Sequence, residues 1–443
     1  MHMTINTNMA APKQMPRREG TRLRNRFSGS HLLLSGLSLV IGYLVLQHGT
    51  AQALSRAPQL FPAAAALAPD HPDVLAFEAK SKLLESFRAL SDGSPTASNS
   101  QIMPSRLPAT PSLRQAGEKA RQALGKDLTQ VGAMAVLAHF EEALGDEAEA
   151  RSIIQASNAL SKRELVTRLW LIKDHARRND LPGMLNNIDI ILRVSASAQE
   201  NIFPLLSQAL TERDTVSALI PILKQDPPWA AAYLYTAATS GQGVRNLAEI
   251  YAALDQEYSY GGEEISDLIV EALVAQKEFE AALAFARKLQ PAAIANRQLV
   301  QDADFSKIEG ITPFTWRFTS SANFDAARSV DTDQGSGLFV RSFGAGRDLI
   351  ATQLIALPPG AYRFRNAVRL DQPGSSLELQ WRLRCANDES LIGVFEPLSD
   401  EEIAWSVPPS CSHQWLELNA DTGFSSNEAS AFVGPVRLAP LER

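Results

Sequence analysis

The spacing of hydrophobic and polar positions changes twice along this chain. Between residues 27 and 55 no Asp, Glu, Lys or Arg occurs, and the apolar heart Leu32–Leu46 reads LLLSGLSLVIGYLVL. From about residue 57 to residue 304, apolar residues recur three or four apart, the period of helices with one buried face. After Gly310 the rhythm shortens to alternation within short segments bounded by Gly, Pro, Asn and Asp, which predicts strands. The pattern predicts a multi-domain α + β protein: a single N-terminal transmembrane helix, an α-helical solenoid and a C-terminal antiparallel β-sandwich.

Lys13, Arg17, Arg18, Arg22, Arg24 and Arg26 precede the apolar run. Crossing about 30 Å of hydrocarbon takes about 20 helical residues, and Phe27–Leu46 supplies them. A basic tail over residues 1–26 and a transmembrane signal anchor over 27–48 are therefore expected. Positive charge on the N-terminal side keeps that end cytoplasmic and sends the body across the membrane. The expected location is the bacterial inner membrane, single-pass, with a periplasmic body. The alternative is a cleaved signal peptide, with Ala51-Gln52-Ala53 as an A-x-A site and export after cleavage near Ala53.

Residues 57–304 read as consecutive helix pairs, interrupted by a flexible loop over 91–112 that is rich in Ser and Pro. A period of 34 residues relates Leu137, Leu171 and Leu205; Asp146, Asp180 and Asp214; Ile154, Ile188 and Ile222; and Ala150, Met184 and Ala218. Each unit is a helix, a short turn carrying the Asp, and a second helix. Leu-Gly-Asp followed by Ala150 resembles the tetratricopeptide repeat at the turn where a small residue lets two helices pack closely. Glu141, His175 and Ala209 replace the aromatic of that family's first helix, and Met184 replaces one small residue. The resemblance implies a solenoid with a groove for a protein partner, with Leu137, Ala150, Leu171, Met184, Leu205 and Ala218 packing the repeats.

Over residues 305–443 the predicted strands are Phe314–Phe318, Gly337–Phe343, Ile350–Leu357, Ala361–Leu370, Ser376–Ala386, Leu391–Phe395, Gln414–Asn419 and Ala431–Leu438. The segments PFTWRF, QLIALPPGAYRF and FVGPVRL give this region a layout similar to the carbohydrate-binding type of jelly roll. That resemblance implies polysaccharide as a partner and exposed tryptophans as its stacking platforms, with Trp316, Trp405 and Trp415 as candidates. Trp381 alternates with Leu379 and Leu383 and belongs in the core. Cys385 and Cys411 are the two cysteines of the chain, and in an exported body they are expected to form a disulfide.

Composition then excludes whole classes. With 45% hydrophobic residues the chain is not disordered, and a mean hydropathy of −0.12 rules out a polytopic membrane protein. The net charge of −7 hides a split between +5 over residues 1–31 and −12 over the rest. An acidic body lacks the basic footprint that nucleic acid requires. No G-x-S-x-G, H-E-x-x-H or P-loop occurs, and seven scattered histidines show no ligand spacing. No catalytic residue, cofactor or metal is expected. The functional expectation is a non-catalytic, membrane-anchored periplasmic scaffold in envelope or exopolysaccharide assembly. It binds a partner protein through its repeats and glycan through its sandwich. The alternatives are a carbohydrate-active enzyme or accessory with a site on the sandwich loops, and a structural spacer.

Overall fold

The structure is a computed structural model of the chain. It describes residues 58–92, 107–291, 294, 298–306, 310–331, 335–372, 374–397, 402–425 and 427–441. The expected basic tail, signal anchor and Ala51–Ala53 motif lie outside the described residues, as does most of the 91–112 loop. Among the described residues no helix is long and apolar enough to cross a membrane. These residues form thirteen α-helices and twelve strands, and divide into two compact units, 58–160 and 161–441.

The first unit is helical: α1 (Phe61–Leu67), α2 (Pro72–Asp92), α3 (Pro111–Lys126), α4 (Val131–Leu144) and α5 (Glu147–Leu160). Thr110 starts α3 by accepting the Leu113 N–H at 3.1 Å, with Pro111 at the first helical position. Gly117 lets α3 approach α4, because a Cβ there would lie 2.5 Å from the Phe140 ring. Gly145, at φ 105°, closes α4, and the Asp146 carboxylate accepts the Glu149 N–H at 3.0 Å to open α5.

The second unit begins with eight helices: α6 (Leu165–Arg177), α7 (Leu181–Val194), α8 (Ala196–Ala209), α9 (Arg213–Leu223), α10 (Ala230–Ser240), α11 (Val244–Tyr251), α12 (Ile265–Ala275) and α13 (Phe279–Leu289). A hairpin of β1 (Ser259–Tyr260) and β2 (Glu263–Glu264) interrupts them. Helices α8, α10 and α12 stack in one row and α7, α9, α11 and α13 in the other. Phe203, Trp229, Tyr233, Leu247, Ile269 and Phe285 fill the space between.

The 34-residue period has a local cause. Asp180 caps α7 as Asp146 caps α5, accepting the Gly183 N–H at 3.0 Å. Asp214 breaks the pattern, falling inside the first turn of α9. Leu137, Leu171 and Leu205 are all half-buried; Ala150 is buried, whereas Met184 and Ala218 are half-buried. The helix that begins at Val244 stops at Tyr251. Its hydroxyl accepts the Tyr258 N–H at 2.9 Å, turning the chain into the hairpin.

The sandwich consists of β3 (Arg317–Phe318), β4 (Phe324–Asp331), β5 (Gly335–Ser342), β6 (Arg347–Ile355), β7 (Gly360–Leu370), β8 (Glu378–Cys385), β9 (Leu391–Phe395), β10 (Ile403–Val407), β11 (Gln414–Asp421) and β12 (Ala429–Pro440). Two antiparallel sheets run in the orders β10-β7-β12-β5-β4 and β3-β6-β11-β8-β9. Sequence reading missed β4 and β10. FDAARSVD is poor in strand formers and is held by pairing with β5. IAWSV does alternate, but it is short. The expected Phe314–Phe318 strand shrinks to β3, since the Phe314 and Thr315 N–H groups donate back to the Ile311 carbonyl at 3.1 and 3.2 Å.

Trp381 anchors the core. Its ring lies 5.7 Å from both Trp316 and Phe364, and its Nε1 donates to Asn366 Oδ1 at 3.0 Å. The Asn366 amide in turn donates to the Gly434 carbonyl at 2.7 Å, inside the bulge that shifts β12 between Val433 and Val436.

The outer face of the β3-β6-β11-β8-β9 sheet meets the helix array at one end. Leu354 and Ala386 are buried in the array's core, with Trp415 packed against it. His413, 1% exposed, lies 5.4 Å from the Phe279 ring and 3.9 Å from Glu280 of α13. Beside it the disulfide Cys385–Cys411 ties the end of β8 to the segment before β11, with Cα atoms 5.6 Å apart.

Two stability predictions arise here. Burial, with some repulsion from Arg287, holds the His413 imidazole below its ordinary pKa of 6.5 despite the pull of Glu280. The unfolded chain therefore takes up this proton more readily than the folded one. Stability attached to His413 is intact above pH about 6.5 and is lost as pH falls from there toward the lowered value. Urea midpoints should drop across that window, and His413→Phe should flatten this part of the profile; an unchanged profile refutes it. Reducing the disulfide, whose cysteines are 26 residues apart, should cost about 3.5 kcal/mol in urea melts.

Candidate functional site

The three candidate tryptophans do not offer open faces. Trp316 is 3% exposed and its Nε1 donates to the Asp302 carbonyl at 3.0 Å. Trp405 is 2% exposed and stacks on Phe364 with ring centroids 4.2 Å apart. On its other side a Cβ at Gly393 would overlap the indole. The expectation of sugar stacking at Trp316 and Trp405 is thus corrected to core packing. Because residues 403–407 form a strand, alternation points Trp405 and Val407 inward. Trp415 is half-buried against the array.

What the sandwich does leave open is polar. Along β11, Leu416, Leu418 and Ala420 enter the core, so Trp415, Glu417, Asn419 and Asp421 share the outer face. On β8, inward Leu379, Trp381 and Leu383 leave Glu378, Gln380 and Arg382 facing out. At the Asp421 end these side chains, with Arg347 of β6 and Glu396 beyond β9, line a groove with a cavity of about 160 Å³.

The groove is wired internally. Arg347 Nε donates to Asp421 Oδ2 at 2.7 Å, and its Nη2 contacts the same oxygen. The Gly423 N–H donates to Asp421 Oδ1 at 2.7 Å. That backbone bond, followed by the Arg347 contact, holds the Asp421 carboxyl below the usual carboxylate range. Arg382 Nε donates to Gln380 Oε1 at 2.7 Å, and Gln380 Nε2 reaches Glu396 Oε1 at 3.4 Å. Farther along, Glu417 is buried; burial pushes its carboxyl up, while Arg384 at 3.5 Å pulls it back.

Two loops join this groove at the sheet's end. Thr422 Oγ1 accepts the Gly346 N–H at 3.1 Å and donates to the Gly344 carbonyl at 2.9 Å, tying loop 343–346 to the segment 422–425. Each loop carries an exposed phenylalanine. Phe343 has the Arg341 guanidinium 5.1 Å above its ring, and Phe424 is 105% exposed. Among the described residues, Tyr260, Phe343 and Phe424 are the exposed aromatic side chains. Sequence reading weighed tryptophans and passed over these two phenylalanines. The available signal was their glycine neighbours, Gly344 and Gly423, which mark turns rather than inward strand positions.

Among the described residues no group of three or more His, Cys, Asp or Glu could hold a metal ion. No family model matches the chain, and no curated protein matches it either. Solved structures give faint likenesses. The carbohydrate-binding module TmCBM61 in complex with β-1,4-galactotriose is 11% identical at a TM-score of 0.25, covering 33% of this chain and 100% of that one. The enzymatically active domain of bacteriophage CBA120 tailspike protein 4 is 11% identical at 0.24, covering 32% and 21%. The CBM22-1–GH10 modules of Clostridium thermocellum endo-1,4-β-D-xylanase 10B with xylohexaose are 14% identical at 0.19, covering 29% and 26%. Scores this low carry no functional weight for this chain.

Core and rim aromatics should separate cleanly in unfolding experiments. Trp405→Ala should lower stability by about 3–5 kcal/mol. Phe424→Ala should stay within about 0.5 kcal/mol of the parent. Comparable costs for both would contradict the assignment of one ring to the core and the other to solvent.

Proposed function

We propose that this protein is a non-catalytic envelope scaffold, anchored in the bacterial inner membrane with its body in the periplasm. In this reading the sandwich holds a polysaccharide along the Arg347–Gln380–Asn419 groove, with Phe424 as the stacking ring. The tetratricopeptide-like helix array docks a partner protein. One observation carries the glycan half: a polar groove of amides, carboxylates and guanidinium groups ends at Asp421, whose carboxylate holds the N–H of Gly423, the residue before a fully exposed phenylalanine. Such planar polar groups match sugar hydroxyls, and charged partners make the stronger bonds. An aromatic ring supplies the apolar contact that a hydrogen-bonding face lacks.

The same groove favours binding over hydrolysis. Glycoside cleavage needs one carboxyl held above its ordinary range to act as the acid. Asp421 in the groove is held below it, and Glu417, whose carboxyl is raised, does not line the groove. The periplasmic location is supported by the disulfide and by the basic leader ahead of an apolar run.

The test is retention of the full-length protein, in detergent, on a panel of bacterial envelope polysaccharides. The expected result is retention by a subset of the panel. Phe424→Ala should weaken it about threefold to tenfold, and Gln380→Ala with Asn419→Ala by a similar factor. Absence of retention across the panel, or equal retention by these variants, would sink the glycan half. Release of reducing ends from a bound polysaccharide would replace binding by catalysis.

A further inference from the structure

Tyr260 is 46% exposed and stands at the tip of the β1–β2 hairpin, paired with Glu263 across Gly261 and Gly262. Both glycines have positive φ, 64° and 89°, as a tight two-residue hairpin turn with the strands' own twist requires. The turn holds Tyr260 outward. Its ring meets Tyr235 of α10 with centroids 5.1 Å apart and planes tilted by 41°. Two tyrosines from separate elements therefore make one aromatic surface on the helix array.

The surroundings of that surface are acidic. Asp255 and Glu271 are matched by Lys224 and Arg317. Among the described residues no ion pair engages Glu257, Glu263, Glu264 or Asp267. The local field is visible at Asp267: burial first, then Glu271 and Glu264, push its carboxyl up, against the opposing pull of Arg317. Glu263 and Glu264, on the strand paired with Tyr260, put unmatched exposed carboxylates beside the Tyr260 ring and so select the chemistry of what can dock there.

We infer that the Tyr235–Tyr260 surface docks an extended segment of another protein that carries arginines beside prolines. A guanidinium stacks on an aromatic face and presents a planar fork to carboxylates. Proline keeps a segment extended at low entropic cost. Nucleic acid and anionic lipid are repelled by the same charges. This inference rests on the partner-protein half of the proposed function and stands apart from the glycan half.

Fluorescence anisotropy on the full-length chain tests it with three labelled probes: an arginine–proline repeat peptide, its glutamate–proline counterpart, and a peptide of residues 13–26. The arginine–proline peptide should bind and the glutamate–proline peptide should not. Tyr260→Ala should weaken binding about tenfold, and Tyr260→Phe should stay within about twofold. Glu263→Gln with Glu264→Gln should flatten the dependence on salt. A wild-type chain that leaves the arginine–proline peptide free overturns the inference, as does a Tyr260→Ala chain that binds it like wild type. Tighter capture of the 13–26 peptide would assign the surface to the chain's own leader instead. Partner copurification that Tyr260→Ala leaves unchanged would keep the scaffold reading while ending this one.

Discussion

The structure of the sandwich follows from one constraint on a single strand: β11 must be dry at its start and wet at its end. Its inner side chains, Leu416, Leu418 and Ala420, lie in the core throughout. On the outer side, Trp415 packs on the helix array, Glu417 is buried beside Arg384, and Asn419 and Asp421 line the groove. Burial of a polar group costs free energy unless it is paired. That is why Glu417, where cover ends, needs Arg384, and why Asp421, in the open, can hold Arg347 in a surface ion pair. The groove is the part of the outer face that the array leaves bare.

The same cover explains the chemistry near His413. Aromatic packing from Phe279 and closure by the array dehydrate an imidazole that would otherwise titrate near neutrality. Gln353 of β6 ties down the segment at Gln301. Its side chain accepts from the Gln301 N–H and donates to the Gln301 carbonyl, at 3.0 and 2.9 Å, doing with an amide what a further strand would do with backbone. Disulfide, histidine and amide clamp all lie at or near the dry end of the sheet. The loops at the wet end are tied by Thr422, with the Asp421 carboxylate holding the Gly423 N–H. Rigidity at one end and open polar surface at the other is an arrangement suited to presenting a site on a fixed base.

Tryptophan placement shows how composition and position diverge. An indole in a β-rich segment can fill a core or line a surface, and its alternation partners decide which. Trp381, between Leu379 and Leu383, was legible as core. Trp405 was not: its alternation sits in five residues, IAWSV, and acidic residues and prolines flank them. Its burial depends on Phe364 from β7 and on the bare backbone of Gly393 in β9. Neither is near it in sequence. Phe424, by contrast, follows Gly423 at φ 57° in a turn and is exposed. That is a local property, and its glycine neighbour announces it.

The sequence by itself determined whatever depends on neighbours a few residues away. Helical period, the Asp caps at 146 and 180, the glycine turns, the alternating strands β7 and β8 and the count of cysteines are of this kind. It also determined that the body after the leader is acidic. Tertiary structure decided what depends on contacts outside a single helix or strand. It stopped α11 at Tyr251 through a hydrogen bond from Tyr258, and raised β4 from a weak sequence by pairing it with β5. It joined Arg347, Gln380 and Asn419 into one groove. The physical reason is range. Backbone propensities and caps act within a turn of helix or a pair of strands. Burial is set by whichever surfaces meet when the whole chain has closed.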